Sequence, residues 1–382
     1  MARGSFRKRG RGRWELRVYA GVDGETGRQR YVTRTVRGSR RAAVAELKEL
    51  VAEVDRARTH AGTVGELLER WFAAAAPGWA PTTVAHTRSV IDVYLLPYLG
   101  PVPVVGLTTA AIDEVYGLLL RCGGQDGRGL SPGTVHRVHA VLHRALVQAQ
   151  RWGWMWVNPA ADASPPRVRR AELRPPTPAQ VATLLRSVED RPLLWCLLRL
   201  AATTGARRGQ LVALQWRDID LDRGVVAFTR ALVVGPDGPV LGPTKTDTTH
   251  SAGLDKVTLD GLVRCHRNAQ ERARQARIVL PEAAFVFSDD ADGQRPWLPD
   301  RATKLFLGAR RAAGLPAFRL HDLRHFMATE MLAAGVPLAT VSRRLNHARM
   351  STTVNVYTHA IPAWDQPAAE RIADIITHAE AS

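Results

Sequence analysis

Apolar and polar residues alternate in the first forty residues of the chain, as they do in β-strands that bury one face. The alternation covers 14–18 and resumes over 31–33, after a glycine-rich turn. Ser39 then precedes a helical pattern over 42–54, where it can act as an N-cap. The segment therefore predicts a hairpin or small sheet followed by one helix. The alternative interpretation is a basic unstructured tail.

From residue 63 onwards the apolar spacing changes to three and four residues, which is the helical period. Four helices are predicted, with Ser or Thr capping candidates near their starts, at 63–75, 81–96, 108–120 and 132–152. The apolar stripe of the fourth helix consists of Val135, Val138, Leu142, Ala145 and Ala149. Its arginines at 137, 144 and 151 lie on other faces, so one face can pack while another meets phosphate groups.

A proline-rich stretch follows this helical segment and predicts a linker, because proline interrupts helices. The last part of the chain begins with helices, passes through β-prone segments at 225–228 and 232–234, and ends with helices. We therefore predict a multidomain protein. It consists of a small β+α N-terminal module (1–56), an all-α domain (60–162), a linker (163–176) and a mainly α domain of the α+β class with a small β-sheet (177–382).

The charge of the chain changes this picture from a neutral globular protein to one with a polyanionic partner. The 382 residues include 53 Lys plus Arg against 36 Asp plus Glu, which gives a net charge of +17. Residues 1–41 hold 13 of these basic residues and 3 acidic ones, or +10 of the excess. A basic surface of this kind is typical of nucleic-acid binding, with an anionic membrane surface as the competing interpretation.

Several features argue against a membrane or secreted protein. The longest apolar run, 193–202, contains Arg199 and is shorter than the roughly 18 residues of a spanning helix. The basic start lacks the apolar core of a signal peptide. Cys122, Cys196 and Cys265 are widely spaced without a CxxC pair, so they indicate reduced thiols rather than a disulfide framework or a zinc site. We expect a cytoplasmic, nucleoid-associated protein without a membrane partner.

Four short motifs in the last domain carry the candidate chemistry. Residues 204–211 read Thr-Gly-Ala-Arg-Arg-Gly-Gln-Leu, and residues 321–325 read His-Asp-Leu-Arg-His. Residues 345–347 read Leu-Asn-His, and residues 356–359 read Val-Tyr-Thr-His. In order, spacing and neighbours the set resembles box I and box II of the tyrosine recombinase, or phage integrase, family. The basic N-terminal module is similar to that family's arm-type DNA-binding domain, and the helical segment to its core-binding domain.

The resemblance implies a catalytic set made of Arg207, Lys245, His321, Arg324, His347 and the nucleophile Tyr357. Two guanidinium groups suit a phosphodiester that gains negative charge when it is attacked, because each can donate a fork of hydrogen bonds. A phenol with a pKa near 10 is only about one part in a thousand ionised at neutral pH, so neighbouring positive charge must assist it.

The remaining roles also follow from the resemblance. His321 would accept or relay the proton of Tyr357, and His347 would hydrogen-bond a phosphoryl oxygen or support the nucleophile. Lys245 would protonate the leaving 5′-oxygen as general acid. Neither a cofactor nor a metal ion is implied.

The implied function is site-specific DNA recombination, in which strands are cleaved and rejoined through a 3′-phosphotyrosyl intermediate to integrate or excise a mobile element. The implied partners are double-stranded DNA attachment sites, a homo-tetramer on DNA and an accessory DNA-bending or excision factor. One alternative is a type IB topoisomerase, which uses similar chemistry to relax supercoils. The other is a DNA-binding protein that has the fold but no catalytic activity.

The sequence departs from the family pattern at three positions. Gln210 stands where an acid is common, so a carboxylate that orients Arg207 would have to come from elsewhere, with Asp322 as the candidate. Asn346 replaces the usual glycine, and asparagine tolerates a positive φ better than other side chains after glycine. Ser251 stands where an arginine is often found. We expect the first two changes to be compatible with activity.

Two patterns outside the motifs leave alternatives open. His136, His139 and His143 are spaced along one helix, where they could hold a metal ion or be solvated or DNA-facing. Near the C-terminus, Ala368 and the isoleucines of 372–376 form one apolar helical face. This face could pack within its own chain, whereas in the family such a tail docks on a neighbouring protomer.

Overall fold

The computed structural model describes residues 4–22, 29–59, 62–124, 127–168, 174–243, 250–346, 350–357 and 365–380. Its internal contacts divide the chain into two compact units, Met1–Arg170 and Ala171–Ser382.

The first unit begins with an antiparallel sheet in the order β1-β2-β3, followed by helix α1. Their bounds are β1 Gly4–Gly10, β2 Arg13–Val22, β3 Gln29–Arg37 and α1 Arg40–Thr59. Ser39 caps α1 as predicted, since its Oγ accepts a hydrogen bond from the Ala42 amide at 3.2 Å. The sheet buries Leu16 and Val18 against α1, so the alternative of an unstructured tail is wrong.

Strand β1 was not predicted from the sequence. Phe6 is its one large apolar residue, so the segment lacks the alternation that reveals a strand. The strand forms because β2 offers it a hydrogen-bonding edge and because Gly4 lies close to Leu47 of α1, where a Cβ atom would be 2.9 Å from Leu47 Cδ1. Tertiary pairing thus decides the structure here.

The rest of the first unit is helical, as predicted. The helices are α2 Val64–Ala75, α3 Pro81–Val90, α4 Leu96–Leu99, α5 Thr109–Cys122 and α6 Pro132–Arg151. A π-helical turn over Ile91–Leu95 divides the predicted 81–96 helix, and Pro97, which has no amide proton to donate, follows it. The whole predicted stripe of α6 is buried, and Arg137, Arg144 and Arg151 are exposed.

The second unit is mainly helical with two small sheets. Its helices are α7 Pro178–Arg186, α8 Pro192–Thr204, α9 Arg208–Val212, α10 Lys256–Gln275, α11 Pro299–Ala312, α12 Asp322–Ala333, α13 Leu338–Arg344, α14 Met350–Tyr357 and α15 Asp365–Glu380. Its strands are β4 Ile219–Asp220, β5 Val225–Phe228, β6 Arg230–Gly235, β7 Gly238–Pro243 and β8 His250–Gly253.

The predicted strands at 225–228 and 232–234 both form, in different sheets. β5 lies between β4 and β8 in an antiparallel sheet, while β6 pairs with β7 as a hairpin. The register of β5 and β8 places Phe228 opposite His250, and their rings stack at a centroid distance of 5.0 Å. The edge of this sheet therefore brings a histidine into the core.

A small apolar cluster beside the main core of the second unit positions the candidate nucleophile. It consists of Met327, Ala328, Leu332, Val341, Leu345 and Tyr357. The cluster joins α12, α13 and α14, so it brings the end of α14 next to the start of α12. In the ranges that the structure describes, no helix is long and apolar enough to cross a membrane.

Candidate active site

The loop between α8 and α9 presents Arg207 to the site. Gly205 caps the C-terminal end of helix α8 and has φ of +66°, a left-handed conformation that suits glycine. Arg207 follows as the N-cap of α9, and its amide donates to Gln210 Oε1 at 3.0 Å. Gln210 therefore supports the backbone of Arg207 rather than its guanidinium group, a role that needs only a carbonyl oxygen.

Arg324 lies in the first turn of α12 with a side chain that is 3% exposed. Its Nη1 donates to the Gly205 carbonyl at 2.6 Å, and its Nη2 donates to the Leu345 carbonyl. Arg324 thus ties the arginine loop to the segment after α13. Arg207 also reaches that segment, because its Nη2 lies 3.4 Å from the Asn346 carbonyl.

Within the described residues, no carboxylate pairs with either guanidinium group. Burial, and then repulsion from Arg207, lower the pKa of Arg324 to about 10. Burial also lowers the pKa of Arg207, and its buried Nη1 has no hydrogen-bond partner among the described residues. A buried cation, Arg324, beside a half-buried one, Arg207, is unfavourable without a counter-ion unless an anion joins them. The pair could therefore hold an anion such as a phosphate group.

Asp322 does not orient Arg207, so that expectation is wrong. Its carboxylate accepts from the Arg319 amide at 2.7 Å and pairs with the Arg319 guanidinium at 2.8 Å. This local pairing at the start of α12 satisfies Asp322, because Arg319 lies only three residues away.

Tyr357 is the last residue of α14 and is 4% exposed. Its hydroxyl lies 2.9 Å from Nδ1 of His325, and the two rings are 5.8 Å apart. Burial raises the pKa of Tyr357 to about 12, although the nearby Arg324 lowers it. In this state the phenol is protonated at neutral pH and needs a proton acceptor before it can attack.

His325 is the residue that sequence reasoning missed in this role. His321, which was predicted to take the proton, lies at the start of α12, and its ring contacts that of His325 edge-to-face at a centroid distance of 5.2 Å. Loss of hydration, followed by the neighbouring His325 and Arg324, lowers the pKa of His321. His325 stands directly after Arg324 in the motif, so its position was visible but its contact with Tyr357 was not.

His250 is a second residue near the site that sequence reasoning missed. Its ring is 8% exposed, and neither nitrogen has a partner among the described residues. Burial, then the positive charges of Arg324, Arg207 and Arg344, lower its pKa to about 4. His250 is therefore a neutral ring beside the two guanidinium groups at neutral pH.

Two of the predicted site residues, Lys245 and His347, lie outside the described residues. The structure brings the other four, Arg207, His321, Arg324 and Tyr357, to one end of the second unit. Asn346 has φ of +49°, a left-handed conformation that asparagine tolerates best after glycine, at the position where the family has glycine.

The three histidines of α6 are not arranged as the ligands of a metal ion. His139 Nδ1 lies 2.9 Å from the Tyr116 hydroxyl, and His136 is exposed. Over the described ranges, no group of three or more His, Cys, Asp or Glu side chains could hold a metal ion.

We expect Gly205→Ala to destabilise the second unit and to weaken the arginine clamp. A left-handed alanine costs about 1–2 kcal/mol, and its Cβ would lie 2.3 Å from Met327 Cε, next to the carbonyl that Arg324 binds. Urea unfolding measures the loss. Gly308→Ala is the matched control, because it lies in α11 with open space around it and should stabilise by about 0.5–1 kcal/mol. Equal midpoints for the two variants would contradict this account of Gly205.

Comparison with known proteins identifies the relatives of this fold and site. The profile of the Phage integrase family matches residues 177–363, and that of the Phage integrase N-terminal SAM-like domain matches residues 63–118. The prophage phiRv2 integrase of Mycobacterium tuberculosis is 26% identical over 390 residues, covering 99% of this chain and 96% of the relative.

Solved structures show the same fold. The Tn1549 transposon integrase in complex with transposon right end DNA matches with a TM-score of 0.65 at 19% identity, over 81% of this chain and 99% of that chain. A lambda integrase tetramer bound to a Holliday junction matches with a TM-score of 0.54 at 19% identity, over 91% of this chain and 94% of that chain.

Sequence and fold together define a site-specific tyrosine recombinase. More narrowly, the chain belongs to the phage integrase family, since the two matching profiles together cover more than half of its residues.

Proposed function

We propose that this recombinase integrates or excises a mobile element by cleaving and rejoining DNA at attachment sites through a 3′-phosphotyrosyl bond on Tyr357. The observation that supports this proposal best is the buried Arg324 beside the half-buried Arg207, without a counter-ion among the described residues and close to the buried phenol of Tyr357. The pair offers a place for one phosphodiester, and the phenol offers the nucleophile. We also propose that the enzyme acts with the nucleoid in the cytoplasm, where its DNA substrate would lie.

The proposed reaction is a transesterification that neither consumes nor releases water. Arg207 and Arg324 bind the non-bridging oxygens and stabilise the charge that grows on them. Tyr357 Oη bonds to phosphorus while the bond from phosphorus to the 5′-oxygen breaks, and Lys245 gives that oxygen a proton. His347 hydrogen-bonds a phosphoryl oxygen. The reverse sequence, with a 5′-hydroxyl from another strand as the nucleophile, rejoins the DNA.

We assign the proton of Tyr357 to His325 in this reaction, with His321 behind it as a relay. The assignment is supported by the 2.9 Å contact of His325 Nδ1 with the phenol and by the ring contact of the two histidines. Burial lowers the pKa of His325 below its ordinary value, so the ring is uncharged at neutral pH and can accept a proton.

His325→Leu should slow adduct formation by about 10²-fold or more, because it removes the proton acceptor. His325→Asn keeps a hydrogen-bond acceptor near the phenol but cannot take up the proton, so it should position Tyr357 yet react slowly.

In the wild type the rate of adduct formation should fall as the pH drops through the lowered pKa of His325, since a protonated ring cannot accept the proton of Tyr357. The rate of adduct formation, measured in quenched reactions over a range of pH, tests both effects.

His266→Asn provides the control, because that ring packs on Trp216 at 4.6 Å, away from Tyr357. It should keep the acid-side fall of the wild type. An unchanged fall in His325→Asn would contradict the assignment.

The first unit supports DNA binding in this proposal. We assign 1–56 to arm-type sites and the helical segment over 60–162 to the core site, with 163–176 as the linker to the catalytic domain. The three exposed arginines of α6 lie opposite its packed stripe, where they can meet phosphate groups. By resemblance to the family, we also propose an accessory DNA-bending or excision factor as a partner.

We propose that α15 links protomers in a tetramer on DNA. Ile372, Ile375 and Ile376 are 59%, 60% and 53% exposed, so the apolar face of this helix does not pack within its own chain. Three isoleucines on one face that the described residues leave exposed favour burial against another molecule. The lambda integrase structure with a similar fold is itself a tetramer.

Changing all three isoleucines to glutamine should abolish tetramer assembly on DNA while leaving the unfolding midpoint of the free protein nearly unchanged. The midpoint is insensitive because these side chains are already exposed. Native gel shift and light scattering measure assembly. Glu370→Gln, on the opposite face of α15, is the control and should assemble normally. Unchanged tetramers in the triple variant would contradict the proposed role.

One experiment separates the proposed function from its alternatives. The purified enzyme is incubated with sheared DNA from the organism that carries the gene, covalent adducts are trapped in detergent, and the attached DNA is sequenced. A few recurrent sequences, recovered with exchanged junctions, are expected. Adducts scattered without sequence preference would indicate a topoisomerase, and DNA binding without any adduct would indicate a catalytically silent protein.

A further inference from the structure

Two thiols in the second unit lie in contact although they are 69 residues apart in sequence. Sγ of Cys196 on α8 is 3.2 Å from Sγ of Cys265 on α10, and both residues are 1% exposed. Both are free thiols. An S–S bond is about 2.05 Å long, so an approach of roughly 1 Å would join them.

The two helices are closely packed around this contact. Gly261 of α10 allows the approach, because a Cβ atom there would lie 2.4 Å from the ring of Trp195 on α8. Nearer the start of α10, Arg199 of α8 donates to Thr258 Oγ1 at 3.1 Å and to Asp255 Oδ1 at 3.0 Å. The close packing at Gly261 and the hydrogen bonds of Arg199 thus hold the two helices together over the turns of α10 that precede Cys265.

A cavity borders one of the two thiols. Cys265 lines a cavity of about 300 Å³ whose wall also includes Arg191, Arg272 and Arg301. Nε of Arg272 is buried without a hydrogen-bond partner among the described residues. The cavity gives a small polar molecule a route to Cys265, and its guanidinium groups favour a thiolate there.

The chemistry of the pair is asymmetric. The hydrogen bond between the two thiols lowers the pKa of Cys265, and the nearby Arg264 and Arg272 act in the same direction, although burial opposes them. The same hydrogen bond, with burial, raises the pKa of Cys196. Cys265 is therefore the better nucleophile, and Cys196 holds a proton beside it.

We propose that Cys196 and Cys265 are a reversible oxidation site at which a hydroperoxide converts the two thiols into a disulfide. The Cys265 thiolate attacks the peroxide, the O–O bond breaks, and a sulfenic acid forms. The Cys196 sulfur then displaces hydroxide from that sulfenic acid, so one hydrogen peroxide oxidises two thiols and yields two waters. A dithiol reductant restores the pair.

The disulfide would act on the candidate active site through α8. This helix has 13 residues, about 20 Å in length, and its other end is Gly205, whose carbonyl Arg324 binds. Drawing α8 toward α10 displaces the arginine loop, and displacements near 1 Å lower rates by as much as about 10²-fold. This regulatory consequence rests on the proposed function, whereas disulfide formation does not.

The test uses the full chain with Cys122→Ser, which removes the exposed thiol. The protein is exposed to hydrogen peroxide, and the excess peroxide is removed. It is then unfolded in the presence of N-ethylmaleimide, and the mass of the intact chain is measured by mass spectrometry. We expect no maleimide on the oxidised chain and two on the untreated or dithiothreitol-treated chain. Two maleimides after peroxide treatment would overturn the proposal. So would a disulfide that links two chains, which non-reducing electrophoresis detects.

Two matched variants keep the result interpretable. Adding Cys196→Ala should leave a sulfenic acid on Cys265 that a dimedone probe labels, while adding Cys265→Ala should leave no dimedone label. The reverse labelling would overturn the assignment of Cys265 as the reactive thiol.

The regulatory part is tested by adduct formation on a captured attachment site. Peroxide should slow the reaction of the Cys122→Ser protein on the order of 10-fold to 10²-fold, reversibly, and should not slow the Cys196→Ala variant. Equal inhibition of both proteins would overturn the regulatory part. Failure of the proposed function would be distinct, because it removes the adduct without changing the maleimide count.

Discussion

Replacing Tyr357 with phenylalanine is expected to abolish the covalent protein–DNA adduct completely. The substitution removes only the hydroxyl, which is the proposed nucleophile, and keeps the ring among Met327, Leu332 and Leu345. The loss of the bond to His325 should lower the free energy of unfolding by about 1 kcal/mol. DNA affinity, which depends on the basic surfaces, should stay within about twofold of the wild type.

The measurement is detergent-resistant adduct on a nicked duplex that contains a captured attachment site, with binding followed by gel shift. A nicked duplex traps the adduct because the released fragment diffuses away before rejoining. Tyr94→Phe is the control, since Tyr94 lies in the π-helical turn of the first unit. Residual adduct in Tyr357→Phe at the wild-type position would show that another residue is the nucleophile.

Replacing Arg324 with lysine should lower adduct formation by about 10²- to 10³-fold, the effect typical of losing a donor to a developing oxyanion. The guanidinium binds the carbonyls of Gly205 and Leu345 and retains donors for a phosphate, whereas one ammonium group cannot span this set. A buried carbonyl left without its donor should also cost about 1–3 kcal/mol of stability.

Arg344→Lys separates the chemical effect from the structural one. Arg344 also binds backbone carbonyls, those of Thr203 and Gly253, at 2.9 Å and 3.1 Å. Its replacement should reduce the unfolding midpoint in the same way but leave most of the single-turnover rate. Equal losses of rate in the two variants would mean that Arg324 serves only to hold the loop.

Local patterns in the sequence predicted much of the fold. The strand at 14–18, the Ser39 cap and the buried stripe of α6 follow from alternation, capping and helical spacing, which involve neighbouring residues only. Strand β1 was missed because its edge pairing, and not its composition, makes it a strand. The π-turn at Ile91–Leu95 was missed because an amphipathic pattern does not record where a helix widens.

The candidate site was predicted as a set of residues and not as a set of contacts. Arg324 binds the carbonyl of Gly205 from 119 residues away, and His325 binds Tyr357 from 32 residues away. Such contacts depend on how α8, α12 and α14 pack, which spacing along the chain does not contain. The same limit explains why Asp322 was offered as a partner for Arg207 and why the buried ring of His250 was overlooked.

The most direct test of the central claim is to locate the covalent bond between protein and DNA. Trapped adduct is digested with nuclease and protease, and the modified peptide is sequenced by mass spectrometry. The account predicts a nucleotide joined through its 3′-phosphate to Tyr357, and a free 5′-hydroxyl on the released strand. A nucleotide on any other residue, or one attached through a 5′-phosphate, would contradict it.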